Sequence, residues 1–403
     1  MEPVLPLRFQ GGGEPMASAP RLYIGAPPAS QLLATVIIPA KNEARHLKRA
    51  LTALAAQTDL DGAPLDRRSY EIIVLANNCR DQTAEVARRF ARTNPDVALH
   101  VVELTLPPAE AHVGRARRLL MDEAYRRLEL HKLPNCFIAS TDADTCVAPT
   151  WLAATHVELA AGADAVGGRI LTIAGTCRAS VASRRHHLRD AVYRLLRARL
   201  ESLIDPDPAD AWPRHQQHFG ASFAITPQAY RQVGGLPVVQ YLEDEALYQA
   251  LRRHDLRVRH SPLVRVLTSD RQTGRVAVGL SWQLRQWSRL HQQQREPQVE
   301  SGKCLLQEWQ TRRQLRSLWA TVRMAAVAPD RQTVRELSTS LGISAIKLAL
   351  QLSQAATFGA LWSWVAAERA TAGLWDKRWP LVPLQQALDE VRQLIRHYER
   401  PVR

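Results

Sequence analysis

Two aspartates one residue apart, Asp142 and Asp144, close a short apolar run, residues 137–139, that reads as a buried strand. Paired carboxylates at a strand end are hard oxygen ligands. They suit a divalent cation such as Mg²⁺ or Mn²⁺ held against a phosphate-bearing ligand. In an open α/β sheet, ligands bind beyond the carboxyl ends of the strands. The same spacing recurs at Asp59-Leu60-Asp61 and Asp205-Pro206-Asp207. Those two pairs stand in polar, turn-forming sequence with no strand before them, and read as solvated loops. For Asp142 and Asp144 themselves, an Asx-capped turn without metal remains the alternative. A second acidic pair, Glu243-Asp244, opens a helical segment about a hundred residues later. Acidic residues favour a helix start through the dipole alone. A carboxylate there can also take a proton from a hydroxyl nucleophile.

The segments around these residues must place them. β-Branched or apolar runs at 34–39, 71–75 and 98–104 precede the 137–139 strand. Between them, 43–54, 81–90 and 114–130 carry apolar residues at helical spacing, Leu47, Leu51 and Leu54 in the first and Ala116, Leu120, Ala124 and Leu128 in the third. Strands alternating with helices predict βαβ units: an α/β fold, a Rossmann-like, mostly parallel sheet with helices on both faces. Right-handed crossovers then gather the loops at 39–43, 75–81 and 142–144 on one edge. Further on, the pattern predicts helices at 149–159, 180–203, 227–233 and 241–253, strands at 163–173, 218–225 and 256–266, and a loop at 205–213. From residue 276 the chain reads as helical and rich in Arg, Gln and Trp, without strand signal. The expected organisation is a mobile Gly/Pro/Ala-rich leader (1–30), a catalytic α/β unit (31–275) and a C-terminal helical region (276–403).

The chain has 403 residues, 46% hydrophobic and 23% charged, which is globular composition with room for a large core. Its net charge of +14 could attract a nucleotide diphosphate, an anionic membrane or nucleic acid. No basic tail, zinc-finger spacing or aromatic RNA-binding signature is present, so nucleic acid is not expected as a partner. Cys79, Cys136, Cys146, Cys177 and Cys304 are odd in number and lack CxxC spacing. They read as reduced thiols of a cytosolic protein, and the N-terminus has no signal-peptide pattern. The most apolar stretch, 343–367, is interrupted by Lys347, Gln351 and Gln354 and reads as a buried helix rather than a membrane span. Its Trp362 and Trp364 leave peripheral contact with the inner face of a membrane open.

Five stretches, in order over about residues 33–275, resemble family 2 glycosyltransferases of the GT-A fold. They are Val36-Ile37-Ile38-Pro39-Ala40-Lys41-Asn42-Glu43, Leu75 to Thr83, Gly114-Arg115-Ala116-Arg117, Asp142-Ala143-Asp144, and Gly220-Ala221-Ser222 through Gly234-Gly235 to Glu243-Asp244. The resemblance implies a nucleotide-diphosphate sugar as donor and a divalent metal as cofactor. It implies that Pro39, Glu43 and Asn77 bind the nucleotide, Arg115 the diphosphate, Asp142 the ribose or metal, and Asp144 the metal. It further implies that Glu243 and Asp244 face the acceptor, with Asp244 the base of an inverting transfer to a hydroxyl. Asn77 stands where the family often has Asp, which puts a uridine preference in doubt. Glu43 as a helix cap and Arg115 as a solvated Arg beside Arg117 and Arg118 remain alternatives, and Asp81 reads as a helix N-cap. The His that many relatives place after the last strand is absent. Thr268 and Arg271 stand near that place, His260 is given no ligand role, and His218 is a candidate for the acceptor pocket.

Two rival readings stay open. One is a retaining transferase of the glucosyl- or mannosyl-glycerate type, in which Asp244 is not the base. The other is a catalytically silent scaffold held at a membrane surface by the C-terminal helices. The sugar, the oligomeric state and the acceptor (small molecule, glycan or lipid) have no readable code.

Overall fold

The computed structural model describes residues 21–173, 181–269 and 280–399. Cys177, Asp270, Arg271 and the expected boundary at 275/276 lie outside the described residues. The catalytic unit runs β1 (Ala34–Ala40), α1 (Leu47–Ala55), β2 (Tyr70–Asn77), α2 (Thr83–Thr93), β3 (Leu99–Leu104), α3 (Val113–Leu128), β4 (Phe137–Thr141), β5 (Cys146–Val147), α4 (Trp151–Ala160), β6 (Ala165–Ile173), α5 (Val181–Ile204), β7 (Ser222–Ile225), α6 (Pro227–Gln232), α7 (Glu243–Arg253) and β8 (Val258–Ser269). The C-terminal region follows as α8 (Leu280–Gln292), β9 (Gln298–Val299), α9 (Gly302–Ala325), α10 (Arg331–Leu341), α11 (Ala345–Gln354), α12 (Phe358–Ala372), α13 (Leu374–Arg378), β10 (Val382–Pro383) and α14 (Leu384–Tyr398).

Eight strands form one sheet in the order β3-β2-β1-β4-β7-β6-β8-β5. Four of its seven described pairings are parallel, so the mostly parallel α/β sheet expected from the sequence is present. β2 is buried along its whole length, as a parallel strand covered on both faces must be. Alternation along β1 and β2 feeds two cores. Val36, Ile38, Ile72 and Val74 pack with Leu47, Leu51 and Trp151 of α1 and α4. Ile37, Ile73 and Leu75 pack with Leu120 of α3 and Leu247 and Leu251 of α7.

The C-terminal helices are welded to this unit. Tyr193, Leu200 and Ile204 of α5 share a core with Leu305 and Trp309 of α9 and Leu384, Leu388 and Val391 of α14. α12 docks on the far end of α7, because Asp255 accepts the N–H groups of Phe358 and Gly359 at 2.7 Å each.

Four expectations change. The stretch 343–367 is two helices, α11 and α12, since Thr357 caps a new helix through the Ala360 N–H. Among the described residues no helix is long and apolar enough to cross a membrane. The C-terminal region does contain strand, the short antiparallel pair β9–β10. Part of the expected leader is fixed: Ile24 is buried, and its N–H donates to Glu123 Oε1 at 2.9 Å. Asp205 is not solvated but buried, and Arg312 donates to it at 2.5 Å. By contrast, Asp59 closes an exposed turn, accepting the Asp61 and Ala63 N–H groups as a loop aspartate should. The described cysteines Cys79, Cys136, Cys146 and Cys304 are all free.

Candidate active site

Parallel pairing of β1 with β2 and β4 brings three strand ends to one edge. Pro39 lies opposite Leu75 in the register, and Asn77 ends β2. Asn42 and Asn78 adopt left-handed backbone conformations, φ 53° and 49°, a conformation asparagine tolerates. Short polar groups then knit the two loops. The Arg80 N–H donates to Asn42 Oδ1 at 2.7 Å, Ala44 N–H to Asp81 Oδ2 at 3.1 Å, and Glu43 N–H to Thr83 Oγ1 at 2.7 Å. Asp81 also accepts the Thr83 N–H at 3.0 Å, the first turn of α2. Glu43 is buried. Asn77 is buried too, and its Oδ1 has no hydrogen-bond partner. An orphaned buried acceptor costs about 1–3 kcal/mol, a cost that a ligand N–H would relieve.

At the start of α3, His112 accepts the Arg115 N–H at 3.3 Å. The Arg115 side chain donates to Glu110 at 3.1 Å, so the residue expected at the diphosphate is held by a neighbouring carboxylate. Arg117, read from sequence among solvated arginines, is buried. One guanidinium nitrogen donates to Asp142 Oδ1 at 2.8 Å and another to Glu243 Oε1. Gly220 leaves room for that guanidinium; a Cβ there would run into it.

Asp142 and Asp144 leave β4 half-buried. Ser140 Oγ donates to the Gly220 carbonyl at 2.8 Å and Thr141 Oγ1 to the Ala221 carbonyl at 3.0 Å, binding the strand end to the segment before β7. Thr145 and Thr268 join hydroxyls at 3.0 Å, so the end of β8 meets the aspartate turn. Among the described residues no group of three His, Cys, Asp or Glu side chains could hold a metal. Two hard, half-exposed carboxylates fit a cation only if it takes its remaining ligands from water or a phosphate-bearing substrate, which is how Mg²⁺ is commonly held.

Leu242, left-handed at φ 57°, turns the chain into α7 and puts Glu243, Asp244 and Glu245 in its first turn. Asp244 Oδ2 accepts the Gly220 N–H at 3.0 Å and Oδ1 the Glu245 N–H at 2.9 Å. Burial pushes the Glu243 carboxyl above its ordinary value, against the pull of Arg117 and with the help of Asp244 and Asp142. Glu245 pairs with His218 at 2.8 Å.

Residues 35–214 match the profile of glycosyl transferase family 2. The match covers somewhat less than half of the chain. The match stops before β7 and α7, so Glu243 and Asp244 stand outside it. Among solved structures, the chain is similar to mannosyltransferase PcManGT from Pyrobaculum calidifontis in complex with GDP-Man and Mn2+, at 17% identity and TM-score 0.43 over 93% of this chain and 90% of that one. It is also similar to S. aureus TarS 1-349 in complex with UDP-GlcNAc, at 13% identity and TM-score 0.43 over 84% and 91%. A third is glucosyl-3-phosphoglycerate synthase from Mycobacterium tuberculosis with UDP, at 15% identity and TM-score 0.37 over 70% and 90%. No curated protein matches the chain. Likenesses this loose assign neither a donor nor an acceptor.

The matched segment thus carries Pro39, Glu43, Asn77, Asp142 and Asp144 on adjoining strand ends, with Glu243 and Asp244 tied to them through Arg117 and Gly220. Arg115 stands apart with Glu110. Sequence reasoning missed Arg117, although its spacing to Leu120 and Ala124 places it on the inward face of α3. It also missed the buried set around His260, where Asp210 accepts from the ring and from Arg214 at 2.8 Å each. No periodicity announces that set.

Proposed function

We propose that this chain is a metal-dependent glycosyltransferase that moves a sugar from a nucleotide-diphosphate donor to a hydroxyl acceptor with inversion at the anomeric carbon. One observation carries the reading. A single buried guanidinium, Arg117, holds Asp142 from the donor-side strand end and Glu243 from the acceptor-side helix. That bridge supports treating the two carboxylate pairs singled out in the sequence as parts of one site. Asn77, with its orphaned buried oxygen, supports a base-edge contact beside Pro39 and Glu43. An amide accepts as well as donates, so no single base is preferred on this ground.

Asp144 and Asp142 would hold the cation. When bound, it supplies positive charge against the negative charge growing on the leaving diphosphate. Arg115 would reach the diphosphate only by exchanging Glu110 for it. Asp244 would take the proton of the attacking hydroxyl. Each of its oxygens already accepts one backbone N–H, which fixes the carboxylate and leaves each one further lone pair. Two N–H contacts that fix the carboxylate suit equally a second reading, a retaining transfer in which Asp244 orients the acceptor; the anomeric configuration of the product separates the two.

The test is nucleotide-diphosphate release from UDP-, GDP- and dTDP-sugars with Mn²⁺ or EDTA, for wild type and Asp144→Ala. Metal-dependent release from one donor, reduced about a hundredfold or more in Asp144→Ala, is the expected result. Absence of both release and calorimetric nucleotide binding would sink the reading and leave the membrane-surface scaffold in its place.

A further inference from the structure

The C-terminal helices enclose a groove of about 870 Å³ between α9 and α10, lined also by Ile204 at the end of α5 and Tyr398 at the end of α14. α9 and α10 pack on each other through Leu315, Leu337 and Leu341. Beside that contact their facing sides part, and both are polar. Gln307, Gln310, Gln314 and Ser317 follow one another at helical spacing along the groove side of α9, with Thr333 and Ser340 of α10 opposite. Small-molecule pockets are as a rule apolar, with a few polar groups placed in them. Here that proportion is reversed.

The hydrogen-bonding capacity of this lining is only partly used. The Gln307 amide donates to Thr311 Oγ1 at 3.0 Å and the Gln310 amide to Tyr398 Oη at 3.1 Å. Their amide oxygens, and the whole Gln314 amide, have no hydrogen-bond partner among the described residues. Charge is sparse and cancels. The chain has 53 Lys and Arg, yet among the described residues Arg313 alone of them lines the groove, with Glu336 as its one carboxylate. Arg313 is spent on the Ile204 carbonyl at 3.1 Å, and Glu336 accepts from the Gln332 amide at 2.7 Å. A phosphate-bearing ligand calls for clustered cations, and a lipid tail for a continuous apolar wall. Amides and hydroxyls without net charge match a neutral ligand that brings many donors and acceptors of its own. A sugar chain is such a ligand: neighbouring ring hydroxyls can give to an amide oxygen and accept from its nitrogen. The partly exposed Tyr398 ring offers an apolar face with a polar tip, suited to the C–H side of a sugar ring.

We propose that the α9–α10 groove is a glycan-binding site, which holds a neutral oligosaccharide by its hydroxyls. None of the residues placed at the candidate active site lines it, so the glycan is anchored there rather than reacted. Where the chain transfers a sugar, the anchored glycan is the acceptor, long enough to reach both places. Anchoring raises the effective concentration of its free end at the reacting site without any new contact there. That last step rests on the glycosyl-transfer reading; the binding itself does not.

The test is calorimetric and saturation-transfer NMR binding of the full chain to linear di- to hexasaccharides of glucose, mannose and N-acetylglucosamine. Wild type is compared with Ser317→Trp and Gln314→Ala. Ser317 is exposed, so a Trp there fills the groove without entering the core, and thermal melting checks that the fold is kept. At least one series should bind more tightly as the chain lengthens, with little response to salt. Affinity should fall by about tenfold or more in Ser317→Trp and about fivefold in Gln314→Ala. Absence of oligosaccharide binding, or binding indifferent to Ser317→Trp, overturns the site. So does binding confined to heparin fragments or phosphatidylglycerol vesicles and lost steeply with salt, which would mark a charged surface instead. In turnover assays long acceptors should show a lower KM than short ones, and Ser317→Trp should erase that advantage. Equal KM values in wild type overturn the anchoring role. If no nucleotide sugar is turned over, the glycosyl-transfer reading fails, and the calorimetry still decides the groove.

Discussion

The β1–β2 edge and the first turn of α7 supply the two ends of the proposed site, and they are held by different forces. The edge rests on apolar strands, and its loops are tied by backbone N–H groups to short neutral or acidic side chains: Asn42, Asp81 and Thr83. The α7 turn is held by buried side chains brought from far along the chain: the Arg117 guanidinium, His218 and, behind it, Asp210. Many modest hydrogen bonds fail one at a time. A buried ion pair fails all at once, because removing one partner strands the other without water. The first end should therefore tolerate single substitutions and the second should not.

Arg117→Met is the sharpest way to break this contrast. It strands Glu243 and takes the guanidinium away from Asp142, so the free energy of unfolding should fall by about 3–5 kcal/mol in a urea titration, with nucleotide release abolished. Acid should come next. Burial works to raise Glu71 of β2, but Arg127 and His100 outweigh it and bring the carboxyl from 4.5 down to about 2. A depressed carboxylate stabilises the fold fully above its unfolded value and loses that contribution as pH falls. Stability should thus drop by on the order of 3 kcal/mol between about pH 4.5 and 2, and Glu71→Gln should flatten that slope. Asp81→Ala, at the strand edge, removes acceptors from Ala44 and Thr83 and should cost about 1–2 kcal/mol by thermal melting. Asn77→Ala should have the smallest effect on folding, within about 0.5 kcal/mol, since its buried Oδ1 has no partner to lose. Its nucleotide affinity should nonetheless fall about tenfold by calorimetry. A large stability loss in Asn77→Ala, or none in Arg117→Met, would reverse the contrast.

The same division explains what could be read from the chain in advance. The strands and helices of the 34–160 portion were legible because burial on two faces writes continuous apolar runs and helical spacing into the sequence, as in Ile72 to Leu75. The edge residues were legible because strand ends and βα loops occur in order. The partners of Glu243 and Glu245 were not, because Arg117 and His218 lie 126 and 27 residues away, and nothing local marks a charge as buried. Asp205 misled for the same reason, as a Pro-flanked aspartate reads as solvent-exposed until Arg312 is found beside it. The single apolar stretch at 343–367 concealed a break because the start of α12 is fixed partly from afar: Thr357 donates to the Arg253 carbonyl at the end of α7, and Asp255 accepts the Phe358 and Gly359 N–H groups.

The contact between Gly220 and the Arg117 guanidinium has a consequence for ancestry. A side chain cannot arise at position 220 while the arginine keeps its course, and the arginine cannot be lost without leaving the buried Glu243 carboxyl unmatched. Across diverging relatives these three positions should drift as a set, with any change at one accompanied by changes at the other two. Positions 42 and 81, joined through replaceable backbone contacts, should wander independently.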